Sequence, residues 1–248
     1  MLYKYELHLH TMEASACAIA SGKDMARAAK EAGYSGIVVT DHHIGGNTCI
    51  DRSLPWEDFV EGFCKGYEEA KKEGNKIGLD VFFGWEAGFM GTEFLIYGLS
   101  KKWMLEHPEI KEATVEELFN LVDSSGGIMI HAHPYREAPY IKEIRLFPEH
   151  VHGVELINAT HSNPSSPSHN NRSFNEHALD YARKYNFPVT AGSDIHYTKL
   201  LGGGMYFEKR ITTEEELVNA ILNKNYHSIT DGFSTWTKQQ IESENPLY

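Results

Sequence analysis

A chain of 248 residues, 41% hydrophobic and 23% charged, is long enough to bury a full core and has the make-up of an ordinary globular protein. Its formal charge of −12 argues against a surface that works by neutralising the phosphates of a long nucleic acid. No apolar run of about 18 residues is present and residues 3–6 enter a strand without a signal-like apolar core, so no membrane partner and a cytoplasmic location are expected. Cys17, Cys49 and Cys64 are odd in number and lack CxxC spacing, which predicts free thiols in a reducing compartment.

In chain order, residues 3–8 read as a strand running into His8-Leu9-His10, followed by a loop of small and polar residues to Cys17. Ser21 caps a helix with Asp24 in its first turn and an apolar face of Met25, Ala28, Ala29 and Ala32. Gly36–Thr40 is a continuous apolar strand ending in Thr40-Asp41-His42-His43. One long helix is expected from Pro55-Trp56, with Phe59, Phe63 and Tyr67 at four-residue spacing.

Leu79–Phe83 is the next strand, ending in Gly84-Trp85-Glu86, and residues 93–99 form another. Thr114 caps a helix that stops at Gly126-Gly127, and Ile128-Met129-Ile130 then enters His131-Ala132-His133. Val151–Ile157 is a strand, 162–171 a Ser/Pro/Asn-rich loop, and 174–185 a helix. The apolar run 187–191 ends in Gly192-Ser193-Asp194-Ile195-His196. A last helix, 214–222, and a strand at 227–230 complete one domain over 1–248, with the tail after about residue 232 peripheral.

Strands alternating with helices imply a parallel α/β sheet with right-handed crossovers. The metal-competent side chains recur at strand C-termini, where α/β barrels place their sites. An open doubly wound sheet gathers its ligands at one switch point, whereas these come from at least five strands, so a closed or nearly closed barrel is expected. Residues i and i+2 of an extended chain share a face, so His8 with His10, His131 with His133 and Asp194 with His196 can each aim at a common point.

The motifs His8-Leu9-His10, Thr40-Asp41-His42, Gly84-Trp85-Glu86, His133-Pro134 and Gly192-Ser193-Asp194-Ile195-His196 resemble, in order, those of the PHP (polymerase and histidinol phosphatase) family. The resemblance implies a distorted (β/α)7 barrel with two to three divalent ions (Mn, Zn or Fe) at the C-terminal ends of its strands. It implies that His8, His10, Glu86 and Asp194 hold one ion, that Glu86 bridges to a second held also by His133, and that His42 and His196 hold a third. Asp194, His196 and Glu86 are then the candidate catalytic residues. Imidazole and carboxylate together suit Mn, Zn or Fe better than Mg or Ca. Ions sharing a carboxylate activate water and neutralise charge at phosphorus.

The chain departs from the family pattern in two places. Ser15 and Ala16 stand where many members carry Asp or His, and Leu95 stands where many carry a histidine. Glu13, His131 and His161 are the candidates to complete the ligand set, and the departures predict ions of graded affinity. Arg136, Arg172 and Lys199 are the candidate substrate-phosphate donors, with Arg145 behind them and Gly202-Gly203-Gly204 a possible anion nest. The expected function is metal-dependent hydrolysis of a small phosphomonoester or nucleotide. A nuclease, a cyclic-nucleotide phosphodiesterase, and a metal-binding regulatory module with weakened catalysis are the alternatives.

Overall fold

The computed structural model describes residues 1–243 and 246–247 of the chain. Its elements are β1 (Tyr3–Glu6), α1 (Gly22–Glu31), β2 (Gly36–Val39), α2 (Trp56–Phe63), α3 (Lys65–Ile77), β3 (Asp80–Phe89), β4 (Thr92–Tyr97), α4 (Lys101–Glu106), α5 (Val115–Ser124) and β5 (Ile128–His131). They continue with β6 (Gly153–Asn158), α6 (Ser173–Tyr185), β7 (Val189–Gly192), β8 (Gly204–Phe207), α7 (Glu214–Leu222), β9 (Ser228–Thr230), β10 (Thr235–Thr237) and α8 (Lys238–Glu242). The strands make one curled sheet in the order β10-β9-β8-β1-β2-β3-β4-β5-β6-β7, a distorted α/β barrel. No helix among the described residues is long and apolar enough to cross a membrane.

The helix signals act where the sequence places them. Ser21 accepts from the Asp24 amide, and Thr114 forms a reciprocal capping box with Glu117. The long helix after Pro55 is instead two, broken at Cys64. The break lets each half serve a different cluster: Phe59, Val60 and Phe63 pack with Phe83 and Trp85, while Ala70 packs with Met25 and Ala29 of α1. Tyr67, the last residue of the four-residue repeat, touches both clusters.

β1, β2 and β3 are mutually parallel, as are β5, β6 and β7, but β4 runs antiparallel to both neighbours. The cause is local. Met90 and Gly91 both take left-handed backbone, with φ of 49° and 89°, and a two-residue turn of that kind folds β3 back into a hairpin. The start of β4 therefore lies at the same end of the barrel as the C-termini of its neighbours. That end carries the site.

Inside the barrel Tyr5, Leu7, Val38, Phe82, Leu95, Tyr97, Ile130 and Leu156 form the floor on which the site rests. Trp236 and Ile241 join the same cluster, so β10 and α8 contribute buried apolar surface. The seam between β7 and β1 carries no regular ladder and is zipped at the mouth. Leu9 bridges Ile195 in parallel, and the His10 amide donates to the Ile195 carbonyl at 2.9 Å. Below this, the Glu6 carboxylate accepts from the Ser193 amide at 2.7 Å and from the Ser193 hydroxyl. Gly192 permits the approach, since a Cβ there would lie 2.4 Å from the His8 Cβ.

Candidate metal centre

The side chains of the site arrive from five strands, at one end of the barrel. His8 and His10 follow β1, His42 follows β2, Glu86 lies within β3, His133 follows β5, and Asp194 and His196 follow β7. His133 and Asp194 have positive φ, 28° and 50°, a conformation that costs a non-glycine residue energy and recurs at functional sites. The turn at His133 also separates it from His131, because the chain is no longer extended between them.

Glu86 is central. Its Oε1 lies 3.2 Å from His8 Nε2 and 3.2 Å from His133 Nε2, and its Oε2 lies 2.7 Å from His42 Nδ1 and 3.7 Å from His10 Nε2. Asp194 Oδ1 lies 3.2 Å from His10 Nε2 and 3.5 Å from His8 Nε2. Four overlapping groups of ligand atoms result: His8/His10/Asp194, His8/Glu86/His133, His42/Glu86/Glu93 and His10/His42/His196.

A second layer of contacts fixes the rings. His8 Nδ1 donates to Glu155 Oε1 at 2.8 Å, so its Nε2 turns a lone pair towards Glu86. His10 Nδ1 lies 3.3 Å from the Ser15 hydroxyl, which itself donates to Asp41 Oδ1 at 2.6 Å. His196 Nδ1 donates to the Asp194 carbonyl at 3.0 Å. Glu155 also accepts from the His133 amide and from Asn158, which donates to Asp194 Oδ2 as well.

This arrangement sets acceptors against acceptors. His8 Nε2, His10 Nε2 and His42 Nδ1 are buried and have no hydrogen-bond partner. A proton satisfies one such pair, whereas a divalent ion satisfies several at once, so the donor set fits metal ions. Without an ion, burial disfavours a charge on His8, yet the carboxylates Glu155, Asp194 and Glu86 outweigh it and raise the imidazole well above its ordinary range, so binding of an ion at its Nε2 displaces a proton. Burial likewise pushes Asp194 up, but Arg136 and His8 outweigh it and keep the carboxyl well below the usual carboxylate range.

The remaining sequence candidates fall in different places. Arg136 is buried and gives its guanidinium to Asp194 Oδ2, while its Nε donates to His161 Nε2 at 3.3 Å. His161 Nδ1 meets Asn175, so both its ring nitrogens are engaged outside the four groups. His131 is buried among the rings of Phe94, Phe147 and Tyr181, also outside them. Glu13 accepts from the Gly22 amide through both oxygens, at 3.2 and 3.1 Å, and so caps α1. Arg172 immediately precedes α6 and Lys199 is exposed on a short turn; neither is among the residues lining the cleft over the site. Arg145 is held by the Phe89 carbonyl and Thr92, and the Gly202 and Gly203 amides both donate to the Ser193 hydroxyl.

Glu93 is the residue that the sequence reading passed over. It sits at the mouth, 3.5 Å from His133 Nε2 and 3.9 Å from His42 Nδ1, while Leu95 is buried deeper in the barrel. In an antiparallel strand the residue nearer the mouth is the earlier one. Only the Met90-Gly91 turn signals this reversal.

Cys17 is the second such residue. Burial pushes its thiol up, but the neighbouring His196 and His42 imidazoles outweigh this and bring it down to about 6.

Above the donors opens a cleft of about 710 Å³, lined among others by Cys17, Arg136, Tyr140, Thr160, Ser166 and His169.

A family model described as PHP-associated matches residues 172–226. An uncharacterized protein of Methanocaldococcus jannaschii is 28% identical over 169 residues, 64% of this chain and 83% of that protein. Among solved structures, a two-domain protein of Bacteroides vulgatus containing a predicted PHP-like metal-dependent phosphoesterase superposes with a TM-score of 0.63 at 15% identity. The match covers 92% of this chain but only 64% of that protein. A candidate metal-dependent phosphoesterase of Bifidobacterium adolescentis gives 0.54 at 15% identity, over 89% of this chain and 96% of its own. An amidohydrolase of Chromobacterium violaceum, solved with sulfate and no metal, gives 0.56 at 12% identity, over 90% and 96%.

Proposed function

We propose that the chain is a member of the PHP family and a metal-dependent hydrolase of a small phosphomonoester or nucleotide, a reading supported by the PHP-associated match over residues 172–226 and by the shared fold. The observation that supports this is the convergence of Glu86, Glu93 and Asp194 with His8, His10, His42, His133 and His196 beneath a cleft of small-molecule size. Divalent ions held by this donor set supply a Lewis acid for a phosphoryl oxygen and acidify a water.

The protein's own part is preorganisation. Glu155 and Ser15 hold the His8 and His10 rings, and Arg136 and Asn158 hold Asp194, so the donors are in place before substrate arrives. Tyr140, Thr160, Ser166 and His169 offer polar groups to the part of the substrate that leaves. A net charge of −12 favours a small substrate over a polynucleotide.

The test is a panel of phosphorylated metabolites, cyclic nucleotides, short oligonucleotides, amides and acyl esters, assayed with chelated and with Mn²⁺-reloaded protein. Metal-dependent release of phosphate from a monoester is expected. Unchanged turnover in metal-free protein would remove the metal from the reaction. Metal bound in full with no substrate turned over would favour a regulatory module, and turnover of amides alone would favour the chemistry named for the Chromobacterium violaceum protein.

A further inference from the structure

Behind the metal centre lies a second cavity, of about 460 Å³, lined by His43 and Trp85 and by the apolar side chains of Ile44, Ala87, Ile110 and Leu118. Successive residues of a strand face opposite sides. While Glu86 turns towards the metal centre, its neighbours Trp85 and Ala87 on β3 therefore turn away from it and line this cavity. Gly45 and Gly88 line both this cavity and the cleft over the metal centre. A Cβ on Gly45 would lie 2.2 Å from the Gly88 carbonyl oxygen, so at that point the two spaces are divided by backbone alone.

Two of the lining side chains carry an unmet need. Trp85 is fully buried and its indole Nε1 has no hydrogen-bond partner; His43 is buried and its Nε2 has none either. Buried indole N–H groups ordinarily find an acceptor, because leaving one unpaired costs its full desolvation. The rings of Trp56, Phe59 and Phe63 stand edge-on to His43 at 5.8, 5.4 and 5.2 Å, and Trp56 spends its own N–H on the Met104 carbonyl. The Trp85 and His43 ring centroids are 6.4 Å apart, so both needs arise in one small region. Neither group takes part in the metal centre.

We propose that this cavity is a second binding site, for a neutral aromatic molecule that carries a hydroxyl group. The apolar walls take the ring. A hydroxyl oxygen accepts from the Trp85 N–H, and the same group either donates to His43 Nε2 or accepts from it, according to the tautomer, so one substituent meets both needs. The charged members of the lining, Lys111 and Glu112, are partly or fully exposed, so a charge at the buried end would go uncompensated. The site holds no residue of the proposed reaction and stands or falls apart from it.

Two probes of one shape test it: para-fluorophenol, which has the hydroxyl, and para-fluorotoluene, which has a methyl group in its place. Binding to the full chain, loaded with Zn²⁺ and isotope-labelled at its indole nitrogens, is followed by fluorine and indole N–H NMR. Para-fluorophenol should bind saturably and shift one indole N–H resonance downfield, the one that is missing from Trp85→Phe. Para-fluorotoluene should bind roughly 10-fold more weakly or worse, for want of the hydrogen bonds. Ala113→Phe narrows the cavity from a partly buried lining position and leaves both nitrogens intact, and it should abolish the shift. That variant decides the matter even where Trp85→Phe fails to fold. No saturable binding of para-fluorophenol overturns the proposal and leaves the two nitrogens to a trapped water. Equal binding of the two probes overturns it, because the hydroxyl then finds no partner. Binding unaltered in Ala113→Phe also overturns it, because the probe then sits elsewhere, the metal centre included.

Discussion

Arg136 gives its guanidinium to Asp194 Oδ2, the oxygen turned away from His8 and His10. An arginine expected to clamp a substrate phosphate is thus already committed to a carboxylate, with His161 holding its Nε. Its role in this geometry is to position Asp194. Arg136→Ala should loosen bound metal by about 10–100-fold, and Arg136→Lys should rescue only part, since an ammonium lacks the fork that serves Asp194 and His161 together. Metal content after dialysis measures this. Full metal retention with weakened inhibition by phosphate would instead assign the guanidinium to the substrate.

Glu155 carries the opposite face of the site, taking the His8 ring on one oxygen and the His133 amide on the other. Glu155→Gln keeps the shape but removes the charge that supports His8. Metal affinity and kcat should fall by about one to two orders of magnitude with KM little changed. Steady-state kinetics at saturating Mn²⁺ and a metal titration check both halves, and a rise in KM alone would contradict the assignment.

Leu95 and Glu93 should respond in opposite ways. Leu95 is fully buried in the apolar cluster that floors the barrel, so Leu95→His puts a polar ring among apolar side chains and should cost about 2–4 kcal/mol of stability. Glu93→Ala should lower metal retention and leave stability of the chelated protein nearly unchanged. Urea unfolding and metal analysis of the two variants decide between them.

Burial pushes Glu6 up to about 7, against hydrogen bonds from Ser193 and the His8 amide. A carboxyl whose folded value exceeds its ordinary 4.5 binds more protons when folded, so its contribution to stability is fullest at low pH. Stability of the chelated protein should therefore fall between about pH 4.5 and 7. Glu6→Gln should flatten that part of the profile, as read by urea midpoints across the range. An identical slope in the variant would place the titration elsewhere.

How much of this was legible in the chain depends on how local the signal is. His8-Leu9-His10 and Asp194-Ile195-His196 sit at the ends of apolar runs, and period-two geometry alone brings each pair to one face. Helix caps at Ser21 and Thr114 are equally local. Glu93 was not legible, because reading it requires knowing that β4 runs backwards. His131 was misleading for a related reason: alternation pairs it with His133 only while the chain stays extended, and it bends at His133. Glu155 and Asn158 are ordinary strand residues in sequence and acquire meaning only from neighbours distant along the chain.

The seam at the barrel mouth has a consequence for how the protein folds and unfolds. Glu6 and Ser193 meet across 187 positions of sequence. Closing so long a loop costs entropy that only the finished barrel recovers, so these contacts form late, after β1 to β6 have assembled. Late contacts govern the rate of opening more than the rate of folding. Any ion gripped by His8 and His10 on one side and Asp194 on the other spans that gap like a clasp. Its expected signature is kinetic: slower unfolding in denaturant when Mn²⁺ is present, with refolding no faster.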